Sequence, residues 1–406
     1  MHNETQPHLP THDDEDSSEA LSADALLRAY GKESSFFFAS PGATWLGRGI
    51  LASLPIRAGA SLDDALPRLF GQARDRGVQR PIVVGALPFD PEAAPILYIP
   101  ERLERAGRLR HTQPAATESA LSGCTTNEFP PPAAYAAGVR EALTLMRETA
   151  LKKVVLSRTL DVVGECDIDQ ARLLRNLACR NPAGYTFAVN LPPTLRGFTP
   201  RRLIGASPEL LVRRTGARVL ANPIAGTAPR SADPDEDRAR AEALLRSAKD
   251  RHEHALVVEA VVDALRPYCR IIDCPPAPEL ISTARLWHLS TRVRGELRDP
   301  AATAIELARA LHPTPAVCGE PRALARQAIG RLEHFSRGLF TGLVGWCDAE
   351  GDGEWAVTIR CAEVEGGRAR LYAGAGIVPD SDPWLEVAET AAKFRTLLDA
   401  LTGGNA

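Results

Sequence analysis

From Lys152 to Ile377 the chain offers one short apolar run after another, bounded by Gly or Pro, with few helical stretches between them. A parallel neighbour requires a crossover of a dozen or more residues, usually a helix, whereas antiparallel neighbours need only a tight turn. Late in this chain strands follow strands directly. The turn Ala349-Glu-Gly-Asp-Gly353 joins two apolar stretches, Gly338–Asp348 and Trp355–Glu363, as a hairpin. No repeat of fixed period runs through the chain. This order predicts an α+β fold of mostly antiparallel strands rather than a doubly wound parallel sheet.

A chain of 406 residues exceeds what one small core uses, so one large unit or two domains both fit. A net charge of -3 argues against a nucleic-acid partner, and no apolar run reaches membrane-spanning length. Residues 1–20 are polar and acidic, with Asp13-Asp-Glu-Asp16 and no apolar h-region, and read as a disordered tail without a signal peptide. The eight cysteines are scattered, without a C-x-x-C, which predicts reduced thiols and a cytoplasmic protein.

The first third alternates helix and strand. Helices are predicted over Leu21–Tyr30 and Leu62–Arg76, and strands at Phe36–Phe38, Pro81–Gly85 and Ile96–Ile99. These strands need partners from later in the chain. Thr112–Pro132 reads as a surface excursion and Ala133–Ala150 as a helix. Strands follow at Lys152–Arg158, Tyr185–Asn190 and Leu203–Val212, the last interrupted at Pro208. Further on come a helix over Asp235–Leu265, a long strand over Arg285–Leu297, helices over Ala304–Leu311 and Arg322–Glu333, a strand over Arg368–Ala373, and a last helix over Pro383–Leu401.

Several side chains stand out chemically. Helical spacing puts Glu253 on one face with Leu256, Val257 and Ala260. An inward carboxylate needs a cation, either in a buried ion pair or as a hard metal such as Mg2+. His252 and His254 fall on nearly opposite sides of that helix, and there is no H-E-x-x-H. Period two puts Lys153, Val155 and Ser157 on one face of their strand and Lys152 on the other. Most strand lysines simply reach for water. Glu386, Glu389 and Lys393 form a helical stripe that, taken alone, is a solvated salt-bridged face. Gly374-Ala-Gly376 reads as a turn able to aim N–H groups at an anion.

Nine segments together resemble the chorismate-utilising enzyme family, and within it the isochorismate synthases of catechol-siderophore biosynthesis. They are Lys153–Arg158, Gly205–Glu209, Pro223–Thr227, Lys249–His254, Leu286–Leu289, Leu311–Gly319, Gly342–Trp346, Thr358–Arg360 and Gly374–Pro379, in family order. Residues 131–402 carry these motifs and residues 21–130 fit less specifically, within one domain over 21–406. The resemblance implies two stacked, largely antiparallel sheets surrounded by helices. It implies chorismate as substrate with Mg2+ as cofactor, and water adding at C2 of the ring while the C4 hydroxyl leaves. Lys153 then corresponds to the general base, which must be uncharged to act, and Glu209 to the general acid, which must be held protonated. Glu253 and Glu389 correspond to metal ligands, and Glu386 to a further carboxylate at the metal. Arg360, Lys393, Tyr372 and the backbone of Gly374, Ala375 and Gly376 correspond to carboxylate-holding groups. Gly226, Thr227, His288, Ala316, Val317 and Ile359 line the pocket in this reading.

Ala225 separates members of the family. Aminodeoxychorismate synthases carry a nucleophilic lysine in this turn, and Ala225 has no nucleophile. The resemblance thus implies isochorismate formation, with salicylate synthase or a non-catalytic chorismate-binding relative as alternatives. It also implies a monomer, and the charge and the absence of a long apolar run predict no nucleic-acid or membrane partner. Glu320 departs from the siderophore-type pattern beside Ala316-Val317.

Overall fold

The computed structural model describes residues 22–54, 61–110, 118–193 and 199–404. The acidic tail lies outside them. Two large antiparallel sheets and one small one form the scaffold. The ten-stranded sheet is centred on Lys153–Gly164 and Arg368–Ile377, paired from Ile377↔Val154 to Arg368↔Val163. The nine-stranded sheet includes Leu210–Thr215, Gly353–Val357 and Leu343–Asp348. Ile224–Pro229, Leu286–Ser290 and Glu279–Ser282 make the third sheet.

The early strands find late partners. Phe36 pairs with Val189, and Val84 with Trp346. Phe36, Phe37 and Phe38 are all fully buried, because their strand is covered on both faces. Phe36 and Phe38 point between the large sheets, against Val84, Phe187 and Val344. Phe37 points outward, into an apolar layer shared with Leu173 and Leu177 of the helix Gln170–Arg180 and Phe394 and Leu397 of Pro383–Thr402. On the far side, Leu62–Asp75, Ala248–Leu265 and Ala304–Leu311 cover the nine-stranded sheet. The layers therefore run helix, sheet, sheet, helix. Each of these buried phenylalanines contributes roughly 1.5–3 kcal/mol from removal of apolar surface.

Four expected elements are each divided in two. The helix over Asp235–Leu265 is Pro234–Arg246 and Ala248–Leu265, broken at Ser247, whose hydroxyl accepts from the Asp250 N–H as an N-cap. Leu203–Val212 is Arg201–Ser207 in the ten-stranded sheet and Leu210–Thr215 in the nine-stranded one. Trp355–Glu363 is Gly353–Val357 and Cys361–Glu365, again in different sheets. Arg285–Leu297 is Leu286–Ser290 and Val293–Leu297, in the third and nine-stranded sheets. An apolar run stays apolar when the chain steps from one buried sheet to the next, so hydrophobicity alone does not mark the step. Part of the expected surface excursion is also a strand, Cys124–Phe129, paired with Lys153–Gly164.

Candidate active site

Those steps between sheets build the site. Pro208 and Glu209 lie where the chain leaves the ten-stranded sheet for the nine-stranded one, and Thr358–Arg360 where it returns. Arg360 has φ 51°. Gly226, at φ 79°, sits at a register shift between Ala225↔Leu289 and Thr227↔His288 in the third sheet. Its left-handed backbone favours glycine. A Cβ there would also meet Asp250 Cβ at 3.1 Å.

Around these crossings lies a pocket with about 850 Å³ of empty space, its mouth included. Glu209, Gly226, Thr227, Glu253, His288, Ala316, Val317, Ile359, Arg360, Tyr372, Gly374, Gly376, Glu389 and Lys393 all line it. Lys249, Asp250, Val155, Phe340 and Thr341 complete much of the wall.

Lys153 is fully buried, and its Nζ lies 2.9 Å from Glu253 Oε1. Lys152, its neighbour, is exposed. The expected base is thus ion-paired with one of the expected metal ligands, an arrangement of the charged amine, so its role as a base requires that the ammonium first give up its proton. Glu209 lines the cavity, whereas Lys153 is not among the lining residues and sits directly behind Glu253 and Gly376, which are. Burial pushes the Glu209 carboxyl up to about 8, against the opposing pull of Lys153, an N–H bond from Ile224, and Arg360 and Lys393. An acid so shifted is mostly protonated at neutral pH. His288 is held neutral, well below its ordinary value, by burial and by Arg360 and Lys393, with its Nδ1 3.1 Å from Thr227 Oγ1. Its Nε2 and Arg360 Nη1 are buried and meet no protein hydrogen-bond partner. Burial lowers the Arg360 guanidinium to about 10, while Glu389 and Glu209 oppose the shift. These polar atoms face a cavity and call for a polar, anionic occupant.

Lys393 pairs with Glu389 at 2.6 Å and donates to the Gly374 carbonyl at 2.7 Å. Glu386 does not line the pocket. It is buried behind it, 3.4 Å from Lys249 Nζ. Burial first, and Glu389 next, raise the Glu386 carboxyl. Asp250 is raised by burial and, more weakly, by Glu253 and Glu389. Among the described residues no three acidic, histidine or cysteine side chains converge into a closed metal cage. Each of the three proposed ligands instead meets its own lysine: Glu253 with Lys153, Glu389 with Lys393, Glu386 with Lys249. The donor chemistry still fits Mg2+, which takes one or two carboxylates and keeps its waters. Against the opposing effect of burial, Lys153, Lys393 and Lys249 together hold the Glu253 carboxyl below its usual value, so a metal ion would have to displace these pairs.

Two further expectations are revised. Gly374-Ala-Gly376 is not a turn. It belongs to the strand Arg368–Ile377, with Gly374 opposite Ser157 and Gly376 opposite Val155. Its glycines supply room: a Cβ on Gly376 would sit 2.4 Å from Glu253 Oε1 and 3.1 Å from Lys153 Cε. Ala375 is buried but does not line the pocket, as strand alternation requires. Lys249 and Thr341 were missed as wall residues. Lys249 was visible inside the Lys249–His254 segment, whereas nothing local marks Thr341, which has φ 58°.

An open pocket between antiparallel sheets, lined by a carboxyl that burial shifts toward its protonated form and by Arg360, Lys393 and Lys249, suits a small anionic molecule. The chain belongs to the family of chorismate binding enzymes, whose model matches residues 76–402. It is 48% identical over 383 residues to isochorismate synthase DhbC of Bacillus subtilis, covering 93% of this chain and 96% of that protein. It is 43% identical to the vibriobactin-specific isochorismate synthase of Vibrio cholerae, over 90% of this chain and 91% of the other. The crystal structure of DhbC from Bacillus anthracis superposes with a TM-score of 0.89 at 48% identity, covering 94% of this chain and all of that one. No helix among the described residues is long and apolar enough to cross a membrane.

Proposed function

We propose that this chain is an isochorismate synthase that converts chorismate reversibly to isochorismate with Mg2+, in the supply of a catechol siderophore. The relatives' names support the reaction and the siderophore route. The observation that carries the chemistry is Glu209, a cavity-lining carboxyl that burial pushes up to about 8, with Lys153 behind the Glu253 wall of the same cavity. Lys153 accepts a proton from water as the water oxygen bonds to C2. The ring double bonds shift, and the C4–O bond breaks as Glu209 gives its proton to the departing hydroxyl, which leaves as water. Arg360 and Lys393 hold the substrate carboxylates, with Tyr372 beside them and His288 as a neutral polar wall.

Glu253 and Glu389 are the residues that would hold Mg2+, with Glu386 behind them. When bound, the cation supplies positive charge to the ring carboxylate. All eight cysteines are unpaired, which supports a cytoplasmic setting.

The test is product analysis by chromatography after incubation with chorismate and Mg2+. Isochorismate alone is expected. Salicylate with pyruvate would make the chain a salicylate synthase, and no turnover would leave a binding protein.

A further inference from the structure

The strand that carries Lys153 has a gap along one edge. The two-residue strand Gly319–Glu320 pairs with Val154 and Lys153, and the Val155 N–H still reaches the Cys318 carbonyl at 2.8 Å. On the same edge, the strand Cys124–Phe129 begins only at Thr159, opposite Phe129. Between them the Val155 carbonyl and the Ser157 N–H have no strand to pair with. A buried ion pair fills the gap. Glu333 Oε1 accepts from the Ser157 N–H at 2.7 Å, and Arg337 Nη2 donates to the Val155 carbonyl at 2.8 Å. The pair itself is bidentate, with Nε to Oε2 at 2.8 Å and Nη2 to Oε1 at 2.5 Å.

The remaining donors of Arg337 reach two other walls of the pocket. Nη1 donates to the Val317 carbonyl at 2.7 Å and to Thr341 Oγ1 at 3.3 Å. The five N–H groups of a guanidinium are thus matched by five bonds. The guanidinium carbon lies over the Phe89 ring, 4.5 Å from its centroid, and 5.9 Å from that of Phe340. Phe340 in turn stacks on Tyr372 at 5.0 Å. Val155, Val317, Phe340 and Thr341 all line the cavity, yet come from a strand and two loops joined otherwise by few bonds, among them Val155 N–H to the Cys318 carbonyl and His312 Nε2 to the Thr341 carbonyl.

We infer that Glu333 and Arg337 are positioning residues for the reaction: the pair stands in for the missing strand segment and locks three pocket walls at a fixed distance from Lys153. Neither residue lines the cavity, so neither touches substrate. A lysine at 337 keeps the charge but lacks the planar fork and cannot reach three walls at once. This inference rests on the pocket being the reaction site proposed above.

The test compares Arg337→Lys and Glu333→Gln with the wild-type enzyme at saturating Mg2+, reading kcat, KM for chorismate and Tm. Displacing a reacting group by about 1 Å costs up to about 100-fold. Each variant is therefore expected to lose about tenfold or more in kcat while KM moves less than about threefold. A role confined to stability would lower Tm and leave kcat of the folded enzyme at the wild-type value, and that result overturns the inference. If Arg337→Lys shows no cooperative melting, Glu333→Gln, which keeps an acceptor for Ser157, decides on the same two constants. A wild-type enzyme that does not convert chorismate would count against the proposed function; an active wild type with equally active variants counts against the positioning role alone.

Discussion

Glu209→Gln tests the acid and the fold together. The Glu209 carboxyl rises from 4.5 to about 8 because it is buried. At about 1.4 kcal/mol per pH unit, the shift corresponds to roughly 5 kcal/mol, as an order of magnitude. The sign follows from proton binding. Between pH 4.5 and 8 the native state holds this proton and the unfolded state does not, so stability falls as pH rises through that window, and the loss is complete above 8. Unfolding entropy of about 2.1 cal/mol/K per residue, taken over this length, makes roughly 5 kcal/mol equivalent to about 6 °C. Glutamine cannot ionise, so the variant loses the slope. Calorimetry is expected to show similar Tm values for the two proteins at pH 5 and a higher Tm for Glu209→Gln at pH 9, by up to about 6 °C. The same variant loses the proton donor, so kcat/KM falls about 10²–10⁴-fold. The wild-type kcat/KM profile declines above about pH 8 as Glu209 ionises. A Tm difference that stays constant from pH 5 to 9, or a variant with wild-type kcat/KM, would refute the reasoning.

Lys153→Ala is expected to lower kcat about 10²–10⁴-fold with chorismate affinity by calorimetry largely retained. It also leaves Glu253 without its 2.9 Å partner, so denaturant melting should show a loss of about 3–5 kcal/mol. Glu253→Gln and Glu389→Gln should each raise the Mg2+ dissociation constant, titrated directly, by at least about tenfold; unchanged metal binding in both removes them as ligands. Gly376→Ala pushes a methyl against Glu253 and Lys153, and turnover should drop about 10- to 100-fold. In Gly330→Ala, a control in the helix Arg322–Leu332 where a methyl meets nothing, stability should rise by about 0.5–1 kcal/mol.

Much of this molecule was legible residue by residue. Period two set Lys152 and Lys153 on opposite faces, and helical geometry set His252 and His254 on nearly opposite sides; the structure exposes Lys152 and His252 and buries Lys153 and His254. Both distinctions are local, because a side chain's direction follows from the backbone that carries it. The antiparallel class was also legible, since strands joined by short connections have no other way to pair. The order of the motifs pointed to the family and, through it, to Glu209, Glu253 and Arg360 as residues of one site.

Only the folded chain decided which strand runs belong to which sheet. Leu203–Val212 reads as one apolar strand, yet Ser207 and Leu210 end up in different sheets and the step between them delivers Glu209 to the cavity. Burial on both sides of that step leaves no polar residue pattern to announce it. The partner of each charge was likewise a tertiary matter. Lys153 meets Glu253 across 100 residues, and Arg337 reaches back 182 residues to the Val155 carbonyl. Coulomb and hydrogen-bond energies depend on distances of a few ångströms, and separation along the chain carries almost no information about those distances.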